Sequence, residues 1–237
     1  MPGLRFSYLY QEDIAQIIDA KIPICLLNNK NILISGDASQ LLCSYLLSNL
    51  VTLKKFYDLN IGIYIWPNTT EYFGCDCITG INKLSDVKNT VSYIIDTDKR
   101  HTRDLINYAT RHNARLAFIT GLDSSEDVPS GVSHVTVRLG HLLGILPTTK
   151  NLVQTTILGI VSDQKILLPD IRVKTVLPEA AAIGILKAVL SDEVKVELIS
   201  GTVNPNNILL KTPMNGVEDY ALEVVKVLSR YKEEESD

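Results

Sequence analysis

Apolar positions fall into short runs separated by polar stretches that carry helical spacing. Ile24–Leu27 (ICLL) is one such run, and Asn31–Ser35 (NILIS) is a better strand candidate. After it, apolar residues recur at i, i+3 and i+4 from Leu41 to Phe56, the signature of a helix. Asp37 or Ser39 is placed to cap that helix, because a short side-chain oxygen satisfies first-turn N–H groups. Ile61–Trp66 (IGIYIW) is β-branched and aromatic, and Pro67–Asn68 stops it. Further on, Val91–Ile95 (VSYII) reads as a strand ending in Asp96-Thr97-Asp98, Thr102–His112 as a helix and Ala114–Ile119 as a strand.

Strands alternating with helices in this way predict a largely parallel sheet of βαβ units. Asp123–Pro129 reads as a polar loop. Ser133–Leu143 and Leu152–Gln164 show helical spacing on either side of Gly144–Lys150. Around 165–178 two prolines interrupt the periodicity, and a boundary is expected there. The remainder reads as helix (Glu179–Leu190), strand (Val194–Ser200), strand (Asn207–Lys211) and helix (Val217–Tyr231), with a charged tail, Lys232–Asp237. The expectation is an α/β fold, a mostly parallel sheet flanked by helices over 1–170, followed by a small C-terminal α/β piece over 171–237. Sixty or so residues are marginal for independent folding, so that piece is expected to pack on the larger one.

Composition narrows the class. Of the 237 residues 46% are apolar and 21% charged, the balance of a soluble globular protein rather than a disordered one. The 23 Lys+Arg against 27 Asp+Glu give a net charge of −4, which disfavours a strongly basic, sequence-blind nucleic-acid binder. No run approaches the roughly 20 apolar residues of a bilayer span, so no membrane partner is expected. The first residues carry acids where a secretory segment would be apolar, and no signal peptide is expected. Cys25 and Cys43 lie in apolar runs, while Cys75 and Cys77 lack a second pair at zinc spacing. These features together suggest a reducing, cytoplasmic setting.

Three aspartates follow apolar segments: Asp37 after NILIS, Asp96 after VSYII, and Asp163 after TTILGIVS. Ligands of parallel α/β sheets bind beyond the carboxyl ends of the strands, and carboxylates gathered there suit hard divalent cations. Each aspartate taken alone is better explained as a helix cap or a loop residue, and only the three together bring the metal reading level with that.

The order and spacing of these segments resemble the DHH phosphoesterase superfamily, particularly its RecJ-like nucleases. The family's first motif, His-x-Asp-x-Asp-Gly, is matched by Ser35-Gly36-Asp37-Ala38-Ser39-Gln40, where only the central aspartate survives. The second motif, an aspartate ending a strand before a helix and a further strand, is matched at Asp96. The Asp-His-His triplet is replaced by Thr120-Gly121-Leu122, and the fourth motif is matched at Asp163. The resemblance covers roughly 30–165, and nothing in 176–237 matches the family's substrate-binding motif. Active members hold two divalent ions with aspartates and histidines, so a chain that keeps only three aspartates resembles a retired member.

The likeness is to the family of cell division cycle protein forty-five and its archaeal RecJ-like counterparts. It implies a catalytically inactive scaffold for DNA replication that binds the GINS complex and supports the MCM helicase. It also implies no cofactor beyond weak Mg or Mn at Asp37, Asp96 and Asp163. One alternative is a residual metal-dependent phosphoesterase or single-strand nuclease using those three residues. A second is a phosphosugar- or nucleotide-binding α/β protein, because the turn Ser35–Ser39 presents backbone N–H groups at a helix start; Asp37 there opposes an anion.

Lys99, Arg100, Arg103, Arg111 and Arg115 crowd a short span and suggest a patch for single-stranded DNA, phosphate or an acidic partner. An exposed helix face is the plainer explanation of them. His134 and His141 are placed seven apart on an expected helix face. Val217–Leu228 has the spacing of a partner-binding or self-docking helix, and the strands of Val194–Lys211 offer an edge for strand pairing.

Overall fold

The structure is a computed structural model that describes residues 7–69, 76–124, 131–146, 151–166, 168 and 170–234. Seven strands form its central parallel sheet: β1 (Asn31–Ser35), β2 (Gly62–Trp66), β3 (Ile78–Gly80), β4 (Tyr93–Asp96), β5 (Arg115–Gly121), β6 (His134–Leu139) and β9 (Lys195–Leu198). Their spatial order is β3-β2-β1-β4-β5-β6-β9, every pair parallel. The expected α/β architecture with a parallel sheet between helices is what the chain adopts.

The strands are near-continuous apolar runs because both faces are covered. Side chains alternate between those faces. Ile32, Ile34, Ile63, Ile65, Ala117 and Ile119 join the larger core, beneath α1 (Tyr8–Asp19), α2 (Leu41–Phe56) and α5 (Pro178–Leu190). Leu33, Tyr64, Trp66, Ile94 and Leu116 point the other way, under α3 (Thr102–His112).

A second sheet of three strands has the order β10-β8-β7, built from β7 (His141–Leu142), β8 (Val173–Val176) and β10 (Gly201–Val203). Around it lie α4 (Leu152–Val161), α6 (Pro205–Leu209) and α7 (Gly216–Glu234). Residues after 170 feed both sheets: β8 and β10 enter the small one, and β9 extends the large one.

Several expected elements differ. Ser133–Leu143 is not a helix but β6 and β7. In β6, buried Val135, Val137 and Leu139 alternate with half-exposed His134, Thr136 and Arg138. The apolar pair Val135 and Leu139 is four apart, a spacing that fits a period of 2 as well as 3.6, and the β-branched valines decide for strand. Asn207–Lys211 lies in α6 and the turn after it. The Asn204 side chain accepts from Asn206 N–H, and Pro205 occupies the first turn, where its missing N–H costs nothing. Ile24–Leu26 forms a 3-10 turn, too short and too close to Pro23 for a strand. Helix α1 and strands β3, β8 and β10 were not expected from the periodicity. Cys75, 125–129 of the expected loop, 147–150 and the last three residues of the tail lie outside the described residues.

Candidate functional site

Strand order reverses between β1 and β4: the chain runs outward from β1 to β3, then returns to place β4 on the other side of β1. In doubly wound sheets that reversal opens a crevice at the carboxyl ends, where ligands bind. Here the β1 end leads through Gly36 and Asp37 into α2, and the β4 end leads through Thr97, Asp98 and Lys99 into α3.

Both ends are already hydrogen-bonded. Thr97 Oγ1 donates to the Ser35 carbonyl at 2.7 Å and lies directly over Gly36, where an added Cβ would sit 2.0 Å from that oxygen. Asp37 Oδ1 accepts from both the N–H and the hydroxyl of Ser39, at 2.8 Å each. The Ala38 N–H donates to Thr69 Oγ1 at 3.2 Å. Asp37 therefore holds the turn before α2, but it does not cap the helix: the N-cap is Gln40, and no side chain caps α2, so the expected cap at Asp37 or Ser39 is not formed.

Asp96 is fully buried. Its carboxylate accepts from the Thr102 hydroxyl at 2.6 Å and the Lys99 N–H at 3.3 Å, fastening the β4–α3 connection. Burial pushes its pKa up, and the Thr102 hydrogen bond works against that shift. Asp163 is elsewhere: it is exposed, at the carboxyl end of α4, in left-handed backbone at φ +53°. The run before it is the helix its spacing predicts, so Asp163 does not join Asp37 and Asp96 at the carboxyl ends of the strands. Among the described residues, no three His, Cys, Asp or Glu side chains are grouped to hold a metal ion.

The basic span does not form one patch. Lys99, in left-handed backbone at φ +60°, donates from Nζ to Thr120 Oγ1 at 3.1 Å and lies 5.2 Å from the Phe118 ring centroid. Arg100 pairs with Asp98 at 2.6 Å, and Arg103 is exposed on α3. Arg111 lies at the far end of α3, about 12 Å along the axis from Arg103 at 1.5 Å per residue. It lines a separate cleft of about 600 Å³ with Trp66, Lys83 and Tyr108. Arg115 begins β5, at the amino ends of the strands and so opposite the cavity, where its guanidinium donates to the Glu193 carbonyl at 2.5 Å.

A cavity of about 1020 Å³ opens over the carboxyl ends of β4, β5 and β6. The start of α2 (Gln40–Cys43) forms one wall, and Asn151 with Ile171–Lys174 the other. Its charged lining is Lys99, Arg100, Arg172 and Lys174 against Asp98 and Asp123, with His141 beside them. Arg100 and Asp98 neutralise each other, so the remaining balance is cationic. Thr120 and the Asn151 side chain add neutral polar groups, although the Asn151 amide is bonded to the Leu142 carbonyl at 3.0 Å.

His134 and His141 stand on different strands of different sheets, and only His141 reaches the cavity. Sequence reasoning missed Thr120, His141, Arg172 and Lys174 as a group. The alternation Arg172-Val173-Lys174, with Val173 buried between two exposed cations, is the signal that was available. Helix α7 buries Val217, Ala221, Val224 and Leu228 in the protein's own core, which makes it a self-docking helix.

No family model matches the chain, and no curated protein sequence matches it. Solved structures do. A UDP-glucuronic acid 4-epimerase from Bacillus cereus, in complex with UDP-glucuronic acid and NAD, is 9% identical with TM-score 0.63, covering 85% of this chain and 99% of that one. A UDP-N-acetylglucosamine 4-epimerase from Methanobrevibacter ruminantium, in complex with UDP-N-acetylmuramic acid, is 12% identical with TM-score 0.58, covering 77% and 81%. The Bordetella bronchiseptica enzyme WbmH, in complex with NAD+, is 13% identical with TM-score 0.56, covering 76% and 79%. At such identities the likeness establishes the fold.

That fold corrects the family resemblance. The neighbours are nucleotide-sugar epimerases and dehydratases, not DHH phosphoesterases, and the expected replication scaffold with GINS and MCM as partners falls with the resemblance that carried it. The physical reason is that a strand followed by an acid and a helix recurs in any doubly wound sheet, whose connections need caps at those places. The expectation of no cofactor beyond a weak metal is corrected too, since neighbours on this fold hold NAD. Among the described residues, no helix is long and apolar enough to cross a membrane.

Proposed function

We propose that this chain binds a nucleotide sugar in the 1020 Å³ cavity, the diphosphate lying against Lys99, Arg172 and Lys174. The observation that carries the reading is the cationic lining of this cavity, placed at the carboxyl ends of β4–β6. Ligand pockets of about 300–1,000 Å³ are typical for molecules of this size. Two of the neighbours hold uridine-diphosphate sugars. A diphosphate meets paired lysine and arginine donors through charge-assisted hydrogen bonds, while Thr120 and His141 supply polar contacts to sugar hydroxyls.

The dinucleotide that neighbours hold supplies hydride transfer when bound. On this fold its pyrophosphate belongs at the β1–α2 turn, approached through a Gly-x-Gly-x-x-Gly sequence. Here that turn has one glycine, Gly36, and the Thr97 hydroxyl fills the space above it. The Asp37 carboxylate takes the Ser39 N–H, and β2 ends in Trp66-Pro67-Asn68 with no acid to meet a ribose. As arranged, these residues do not fit a pyrophosphate; binding one requires Thr97 and Asp37 to turn away. The cavity beside them needs no such rearrangement.

Titration calorimetry with a panel of UDP-, dTDP- and ADP-sugars tests the reading, with NAD titrated separately. At least one nucleotide sugar binds, and Arg172→Ala and Lys174→Ala each weaken it about tenfold, the ordinary worth of one charge-assisted contact. Binding that is unchanged in both variants, or absent for the whole panel, overturns it.

A further inference from the structure

Strand β9 is an edge of the large sheet: β6 pairs with one side of it, and among the described residues no strand pairs with the other. The carbonyls of Val194 and Leu198 accept from the N–H groups of Thr136 on β6 and of Gly140 just after it. In a parallel ladder alternate residues make these bonds, so 194, 196 and 198 are committed to β6. The N–H and C=O groups of Lys195 and Glu197 then face outward, at residues that are both exposed. Unpaired strand edges are templates for another strand.

The sequence of this edge is complementary to itself. A two-fold axis at Val196 sets β9 antiparallel to its copy, with Lys195 opposite the copy's Glu197 and Glu197 opposite the copy's Lys195. In that register both outward-facing residues become hydrogen-bonded pairs, each exchanging N–H and C=O. Opposite charges directly across an antiparallel pair are favourable, and like charges are not. Within one chain Lys195 and Glu197 are 3.9 Å apart on the same face, both about half exposed, so either can turn to a partner.

The opposite face fits as well. Val194 falls opposite Leu198 of the copy, and Val194 is 65% exposed, the largest exposure of any described valine. Leu198 packs over Gly184 on α5, so the apolar surface under α5 would continue across the axis. A lone charge on an edge strand repels a neighbour; a lysine and a glutamate two residues apart cancel under two-fold symmetry. We infer that β9 is the interface for a second copy of this chain, joining two seven-stranded sheets edge to edge about Val196. Such closed two-fold dimers are the commonest oligomers.

The test uses the full chain in sedimentation equilibrium. The wild type is expected to be a reversible dimer. Lys195→Glu and Glu197→Lys each place two like-charged pairs across the axis and should raise the dimer dissociation constant about tenfold or more. The double exchange, Lys195→Glu with Glu197→Lys, should restore it. Glu197→Pro provides a second line, because besides the carboxylate beside Arg138 and Lys195 it removes an outward N–H and leaves the backbone bonds to β6 in place; it should give monomer with unchanged circular dichroism. A monomeric wild type overturns the inference. A dimer insensitive to the single exchanges, or one the double exchange does not restore, also overturns it.

Discussion

The Asp13 carboxylate accepts a 2.6 Å hydrogen bond from the hydroxyl of Tyr220, 207 residues further along the chain. The same oxygen accepts a second bond, also 2.6 Å, from Tyr45. Asp13 belongs to α1, Tyr45 to α2 and Tyr220 to α7, so one buried oxygen joins the first helix, the helix of the β1 turn, and the last helix. Burial pushes the Asp13 pKa up, and the two hydroxyls oppose that shift.

Because those hydroxyls replace water around a buried carboxylate, removing either is costly. Tyr220→Phe should lower stability by about 1.5–3 kcal/mol, the range for a hydrogen bond to a charged group. Tyr45→Phe should do the same. The double variant is expected to differ from the sum of the singles, since both donors serve one oxygen. Urea denaturation of the four proteins measures the cycle. Losses below about 0.5 kcal/mol in both singles would show that the triad does not tie the helices together.

Glu179 opens α5 from a buried position, and its Oε2 has no hydrogen-bond partner. Burial, with Asp13 adding repulsion, raises its pKa from 4.5 to about 7. A carboxyl with a raised folded-state pKa binds its proton more tightly when folded than unfolded. Stability therefore falls as pH rises from about 4.5 to about 7. Over that window the loss is roughly 3 kcal/mol at 1.36 kcal/mol per unit. Glu179→Gln carries no such charge and should be more stable than wild type at pH 8, with the gain shrinking towards pH 4.5. Thermal or urea denaturation across pH shows it; a gain equal at both ends would assign the effect to packing.

Legibility from the sequence followed burial. Strands β1, β2, β4 and β5 are covered on both faces, so each is a dense apolar run that alternation or helical spacing cannot imitate. Strand β6 is half exposed at every second residue, and there the period was read as helical. Strands β3 and β10, of three residues each, are too short to show a period. The turn residues Gly36, Asp37, Asp96 and Lys99 were visible because they follow strands directly. Arg172, Lys174 and His141 were not, since the cavity is assembled from two sheets and their proximity exists only after β7 pairs with β8.

Gly36 and Thr97 interlock at the centre of the fold, where β1 and β4 part. The glycine has φ +153°, and its missing side chain is the space that Thr97 Oγ1 occupies while bonded to the Ser35 carbonyl. Gly36→Ala forces that hydroxyl away from its acceptor, combining a steric shift with a lost hydrogen bond, and should cost about 2–4 kcal/mol. In a Thr97→Ala background the same substitution meets the Cβ of residue 97 at 3.4 Å and Cys43 Sγ at 3.6 Å, both ordinary contacts. The cost of Gly36→Ala should therefore shrink by at least about 1 kcal/mol in that background, leaving the backbone strain that any side chain meets at this φ. Four denaturation curves decide it. Equal costs in the two backgrounds would mean that Thr97 is not what excludes a side chain at position 36, and that the strain of the turn alone requires the glycine.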